Sequence, residues 1–293
     1  MPTMHQERPI VALDATGLMH KGEEQFHERE EQDVVQRRTS VAVTARDRFQ
    51  ASFEQGKNVL GTIITSVDPL VTGVVGQAGF DFVILDMEHG YMSLETAQRH
   101  ILAARAEGLT VIVRVLENSA TRVQAVLDIG ADGVISPKIG SAEDAALLAR
   151  AARYQSGGRG ACQGTFAANF TFAGWKDYVA ATNENVLTVP LLETRLGVEN
   201  ADEIAAVEGI DVLFFGPVDF AQDYGCDYRD PVVRDAWETV RDAAHRHGKW
   251  ALASTFTAEG ADILVDGMDL MFLRTAAEQI VAGHANSRSL ALA

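Results

Sequence analysis

Several short apolar runs in this chain stop abruptly in ionisable side chains, and those side chains carry whatever chemistry the chain has. Phe82 to Leu85 is a continuous apolar stretch that ends in Asp86, Glu88 and His89 before Gly90. Thr110 to Val113 runs into Arg114, and Gly133 to Ile135 runs into Ser136, Pro137 and Lys138. Leu187 to Leu192 is followed by Glu193 and Arg195, and Val212 to Phe215 by Gly216, Pro217 and Asp219. A short apolar run rich in β-branched and aromatic residues reads as a strand buried on both faces, so the charges at its end mark where burial stops.

Glu193 and Asp219 are hard oxygen donors at the ends of successive runs. They suit Mg2+ or Mn2+, or another divalent ion such as Co2+, completed by water and substrate oxygens; a soft metal would call for thiolates. The alternative is that each forms an ion pair at a strand end. Arg114 lies in so apolar a strand that it needs a partner. It is either a fork for a carboxylate or developing oxyanion, or the structural mate of Asp86 or Glu88. His89 sits among acids that could orient its ring and raise its proton affinity for acid/base work, or it is a structural histidine. Lys138 and Lys249 remain open as Schiff-base lysines, although a two-carboxylate site does not need one. There is no P-loop, no H-E-x-x-H and no G-x-S-x-G elbow.

Placing those strand ends at one mouth requires alternating strands and helices. The strand-like runs are Val59 to Thr65, Phe82 to Met87, Thr110 to Val115, Gly133 to Pro137, Leu187 to Thr194, Val212 to Pro217, Lys249 to Ser254 and Leu270 to Thr275. Between them apolar residues recur at helical spacing, as in Leu94, Ala97, Ile101 and Ala104. Ser93 and Ser141 are expected N-caps. Gly79, Gly108, Gly130 and Gly248 are expected helix stops. This pattern predicts a TIM (β/α)8 barrel, with active-site residues at the C-terminal ends of the strands. A doubly wound sheet is the competitor, but no G-x-G-x-x-G follows the first strand. Gly157 to Asn185 is too long for an ordinary connection and carries Phe166, Phe170, Phe172, Trp175 and Tyr178. Either it is functional, or it covers an edge or meets a neighbouring subunit.

The chain has 293 residues, 47% hydrophobic and 23% charged, as expected of a soluble protein with a sizeable core. Its formal charge of −16 repels nucleic acid and anionic membranes, so an anionic substrate would need locally supplied positive charge. No apolar run is long enough to span a bilayer and no signal-peptide pattern opens the chain, so a cytoplasmic location is the expectation. Cys162 and Cys226 lack metal-site spacing and are expected to be ordinary thiols. Residues 1–44 read as a polar arm, with His20 and His27 either in a solvated helix or mobile segment or at a metal site. Residues 45–293 read as the barrel domain, led in by a helix within Val41 to Gln55.

The motifs G-T-I-I-T-S-V-D-P from Gly61, A-G-F-D-F-V-I-L-D-M-E-H-G from Ala78, V-I-V-R-V, L-D-I-G-A-D-G-V-I-S-P from Leu127, R-Y-Q-S-G-G-R-G from Arg153, L-L-E-T-R and F-G-P-V-D-F-A-Q-D-Y-G resemble the HpcH/HpaI aldolases. These are metal-dependent class II pyruvate aldolases on the phosphoenolpyruvate/pyruvate barrel. The resemblance runs from about residue 45 to 285. It implies that Glu193 and Asp219 bind a divalent metal chelating pyruvate, and that Arg114 stabilises the enolate oxygen. It implies too that His89, with Asp86 or Asp128 behind it, is the acid/base, and that Gly216 and Pro217 shape the pyruvate pocket, with Ser136 also on the substrate. The reaction implied is cleavage or formation of 4-hydroxy-2-oxo acids. The last helix, Ala276 to Leu290, would pack on a neighbour in a homo-oligomer, a hexamer in the family.

Two departures point elsewhere. Leu191 replaces a glutamine two residues before the metal glutamate, and Ser136-Pro137-Lys138-Ile139 replaces V-P-M-V. Both resemble citrate lyase β-subunit and malyl-CoA lyase relatives, which cleave CoA thioesters. Glu88-His89 and Gly158-Arg159-Gly160 stay on the aldolase side.

Overall fold

The computed structural model describes residues 43–254 and 259–290, without the side chains of 285–290. The arm and its histidines lie outside the described residues. Helix α1 (Ala45–Glu54) opens at Thr44, whose hydroxyl accepts the N–H of Asp47 while the Asp47 carboxylate accepts the N–H of Thr44, a closed capping box. Its buried Phe49 packs on Phe82 and Trp250, at ring distances of 5.6 and 6.0 Å. Both partners begin strands, so α1 plugs the N-terminal end of the barrel.

The strands are β1 (Val59–Ile64), β2 (Phe82–Asp86), β3 (Thr110–Arg114), β4 (Gly133–Ser136), β5 (Leu187–Leu192), β6 (Val212–Phe215), β7 (Trp250–Ser254) and β8 (Ile263–Met268). They pair in parallel in that order, and β8 returns to β1 to close the barrel. Helices α2 (Leu70–Gln77), α3 (Leu94–Glu107), α4 (Ala120–Asp128), α5 (Ala142–Ala151), α6 (Trp175–Asn185), α7 (Arg195–Glu199), α8 (Ala201–Ala205), α9 (Pro217–Tyr224), α10 (Pro231–Arg246) and α11 (Asp269–Leu290) complete the described order. The expected TIM barrel is therefore the fold. No helix of the described residues is long and apolar enough to cross a membrane.

Alternate residues of each strand face two separate cores. Phe82, Ile84, Ile112, Ile135, Val189 and Phe214 fill the barrel interior. Val83, Leu85, Val111, Val113, Leu213 and Phe215 pack under the helices. Gly61 belongs to the first core by omission, since a Cβ there would lie 2.3 Å from the ring of Phe82. Ser93 and Ser141 cap α3 and α5 as expected, each accepting an N–H three residues on.

One element differs from the sequence expectation. Leu270 to Thr275 is helical and belongs to α11, and the eighth strand is Ile263–Met268. A run such as Leu270-Met271-Phe272-Leu273 suits a buried helix or a strand equally by periodicity. The true strand is harder to see because Asp266-Gly267 interrupts its apolar pattern. Several strands also end a residue or two before their apolar runs suggest, and Pro217 opens α9 instead of closing β6. The long connection resolves into an irregular segment over 152–174 followed by α6. Arg159 reaches Asp128 at the end of α4, and the Arg105 guanidinium at the end of α3 lies 4.7 Å from the Phe166 ring. Helix C-termini feed the starts of the strands, so this segment covers the N-terminal face of the barrel. Cys162 and Cys226 are free thiols.

The join between β1 and β8 depends on Asp269. Its carboxylate accepts the backbone N–H and hydroxyl of both Thr65 and Ser66, at 2.5–3.1 Å. Burial by itself would push this carboxyl up, but the bonds from Ser66 and Thr65 outweigh it and hold the group below its usual range. Asp269→Ala would leave those donors without an acceptor, a loss of about 2–3 kcal/mol. A thermal melt is expected to fall by roughly 4–10 °C, and an unchanged melt would show that the join does not depend on this carboxylate.

Candidate active site at the barrel mouth

The parallel register sets Asp86, the last residue of β2, beside Arg114, the last residue of β3. Asp86 is fully buried. The guanidinium grips its carboxylate twice, Nε to Oδ1 at 2.9 Å and Nη2 to Oδ2 at 2.6 Å. Oδ1 also accepts the backbone N–H of Glu88 at 3.0 Å and of His89 at 3.2 Å, which turns the chain as it leaves the strand. Burial disfavours the charge of Arg114. The hydrogen bonds and charge of Asp86, with the further charges of Glu88 and Glu193, outweigh it and raise the guanidinium above its ordinary pKa.

Glu193 follows β5 and is only 3% exposed. Its Oε1 accepts the backbone N–H of Lys138 at 2.9 Å. Lys138 adopts φ 55° there, a left-handed conformation that costs a side-chain-bearing residue about 1–2 kcal/mol. Gly216 flanks the same carboxylate: a Cβ at 216 would lie 2.8 Å from Glu193 Cβ and 3.2 Å from Oε2. Leu191 packs beside that glycine as a buried apolar wall. Asp219 arrives from the first turn of α9. Burial above all, with the charges of Asp219 and Glu88, pushes Glu193 up to about 7, against the N–H of Lys138 and the charge of Arg114.

Among the described residues no three His, Cys, Asp or Glu side chains form a ready-made metal cage. Glu193 and Asp219 nevertheless form a set of hard oxygen donors whose ionisation a nearby cation would favour. Buried Glu88 Oε2 and Ser136 Oγ, neither with a hydrogen-bond partner, add polar atoms still to be satisfied. These residues fit a divalent ion of the Mg2+ or Mn2+ class, with its remaining positions open to substrate oxygens.

The structure brings Asp86, His89, Arg114, Ser136, Glu193, Gly216, Pro217 and Asp219 to the ends of their strands or just beyond. Asp128 is elsewhere. It ends α4 on the opposite face, where it accepts Arg159 Nε at 2.9 Å and Nη2 at 2.6 Å. Within one chain Asp128 therefore does not stand behind His89, because the C-terminus of a barrel helix lies away from the mouth. Asp86 meets His89 through its backbone N–H and not through its ring. The carboxylate that the ring meets is Glu88, with Oε2 3.8 Å from His89 Nε2. The sequence placed Glu88 among the acids that could orient His89 or pair with Arg114 without singling it out, and it did not reveal the Lys138 N–H, since a backbone donor has no sequence signature.

The HpcH/HpaI aldolase/citrate lyase model matches residues 61–276. The chain belongs to that family. The hydroxypyruvate/pyruvate aldolase of Roseovarius nubinhibens is 31% identical over 245 residues, covering 80% of this chain and 95% of that protein. The 5-keto-4-deoxy-D-glucarate aldolase of Escherichia coli K12 is 30% identical over 80% of this chain and 95% of its own. The solved HpcH/HpaI aldolase from Desulfitobacterium hafniense superposes with a TM-score of 0.74 at 29% identity, over 80% of this chain and 95% of that one. This HpcH/HpaI family member is thus an enzyme, a carbon–carbon lyase of the aldolase kind.

The raised carboxyl of Glu193 has a measurable consequence in the metal-free protein. Below about pH 4.5 it is protonated whether the chain is folded or not; between 4.5 and about 7 the unfolded chain releases the proton first. Its contribution is therefore full at low pH and lost as pH rises through that window, by roughly 3 kcal/mol. Melts of metal-free wild type and Glu193→Gln across pH 4–8 are expected to differ in slope, with the variant losing less stability as pH rises. Parallel slopes would contradict the burial of this charge.

Proposed function

We propose that this protein is a divalent-metal-dependent aldolase that cleaves or forms 4-hydroxy-2-oxo acids through a pyruvate enolate. The observation that carries this reading is a guanidinium held rigidly at the mouth by Asp86, beside the paired carboxylates of Glu193 and Asp219. Cleaving the bond between C3 and C4 of such an acid moves an electron pair onto the 2-oxo oxygen and makes an enolate. A donor already oriented toward that oxygen favours the transition state over the ground state. Arg114 takes this part, since Asp86 fixes two of its nitrogens and leaves Nη1 turned toward the acids of the mouth.

His89, 59% exposed at the rim, accepts the proton of the 4-hydroxyl as the bond breaks, and the aldehyde departs. In the synthetic direction it returns that proton. Glu193 and Asp219 would hold the divalent ion, which when bound draws electron density from the carboxylate and 2-oxo oxygens. Gly216 and Pro217 leave room beside Glu193 for the small pyruvoyl group, and Ser136 Oγ, buried and unpartnered, offers it a hydrogen bond.

The two curated relatives make pyruvate and hydroxypyruvate the first enolate partners to assay, and 5-keto-4-deoxy-D-glucarate the first oxo acid. Leu191 and Lys138 keep a second reading in view, cleavage of a malyl-type CoA thioester. The described part of α11 exposes Leu270, Met271, Phe272, Leu273, Ile280 and Val281, which supports assembly with further copies of the chain through this helix.

With Mg2+ or Mn2+ supplied, pyruvate release from 4-hydroxy-2-oxo acids is expected. Glu193→Ala and Arg114→Ala should each lower kcat/KM by about 10²–10³-fold, and chelation should stop turnover. Turnover of a malyl-type thioester with none of the oxo acids would overturn the proposal in favour of the second reading.

A further inference from the structure

Glu88 is the one acid of the mouth within 4 Å of Arg114, His89 and Lys138 alike. Its side chain is 8% exposed. Oε2 lies 3.7 Å from Arg114 Nη1 and 3.8 Å from His89 Nε2, and Oε1 lies 3.7 Å from Lys138 Nζ. None of these is a hydrogen bond, and Oε2 is buried with no partner. A buried carboxylate oxygen left so is costly unless its neighbours close on it. Contacts of this kind are often long in a resting site and tighten when substrate arrives.

None of Asp86, Glu193 and Asp128 is spared for His89 or Lys138, and Asp219, exposed on α9, makes no ion pair with either. Asp86 is taken by Arg114 and two backbone N–H groups, Glu193 by the N–H of Lys138, and Asp128 by Arg159 on the opposite face. Arg114 is clamped by Asp86, whereas the imidazole of His89 and the ammonium of Lys138, 59% and 70% exposed, have Glu88 as their acidic contact. We propose that Glu88 is the positioning residue of this site, holding the His89 ring and the Lys138 ammonium over the Arg114 fork. The role of the carboxylate behind the histidine then falls to its own chain neighbour. The catalytic part of this inference rests on the aldolase reading; the structural part does not.

The test joins a structure with a mutant cycle. In crystals of Glu88→Gln, which keeps size and removes charge, Arg114 is expected to stay on Asp86 while the His89 ring and Lys138 side chain leave their wild-type positions. If both stay in place the proposal is overturned, whatever the substrate. In kinetics, Glu88→Gln is expected to lower kcat on the order of tenfold with KM within about twofold, and Glu88→Asp to recover part of the loss. In a His89→Ala background the same change should have little further effect, since the residues act as a unit. An equal fold loss in both backgrounds would overturn the positioning role. A wild type inactive on every oxo acid would sink the aldolase reading instead, leaving the crystallographic comparison to decide the position of His89 and Lys138.

Discussion

The carboxylates of Asp86, Glu88, Glu193 and Asp219 converge on one barrel mouth, and Arg114 is the cation buried among them. This balance governs the rest of the site. Asp86 uses both its oxygens to hold the guanidinium, so the fork cannot swing away, and Arg114 in turn makes so many acids tolerable in one place. Burial above all, with the charges of Asp219 and Glu88 that Arg114 does not cancel, still pushes the Glu193 carboxyl up to about 7. A mouth like this, on a chain of formal charge −16, can accept an anionic oxo acid only if more positive charge comes with it. That is the physical reason for the divalent ion proposed at Glu193 and Asp219.

The barrel supplies the rigidity this balance requires. Register places Asp86 opposite Arg114 with no adjustable loop between them. Phe49 and Phe82 fill the closed end, and Gly61 gives Phe82 its room. At the open end two backbone features serve a single carboxylate: the left-handed Lys138 aims an N–H at Glu193, and Gly216 leaves space beside it. Such local strain at a strand end fits a site where geometry outranks stability.

Much of this was legible in the sequence because a buried strand announces itself as an apolar run and its end as a cluster of charge. Asp86, Arg114, Glu193 and Asp219 were found by that rule alone. The rule failed where pattern and role part company. Leu270 to Thr275 is as apolar as a strand, and the true eighth strand carries Asp266-Gly267 through its middle. Asp128 lies in a motif matched by the family, yet position along a helix and not motif decides which face it occupies. The importance of Glu88 lies in distances of less than 4 Å to side chains from three different segments, which linear spacing does not encode.

The reaction proposed for this mouth requires a divalent cation held by Glu193 and Asp219 beside Arg114. Anomalous diffraction from crystals soaked with Mn2+ and pyruvate tests it most directly. A single strong peak between the two carboxylates is expected, with the 2-oxo oxygen of pyruvate turned toward Arg114. A peak elsewhere, or none at saturating Mn2+, would contradict it.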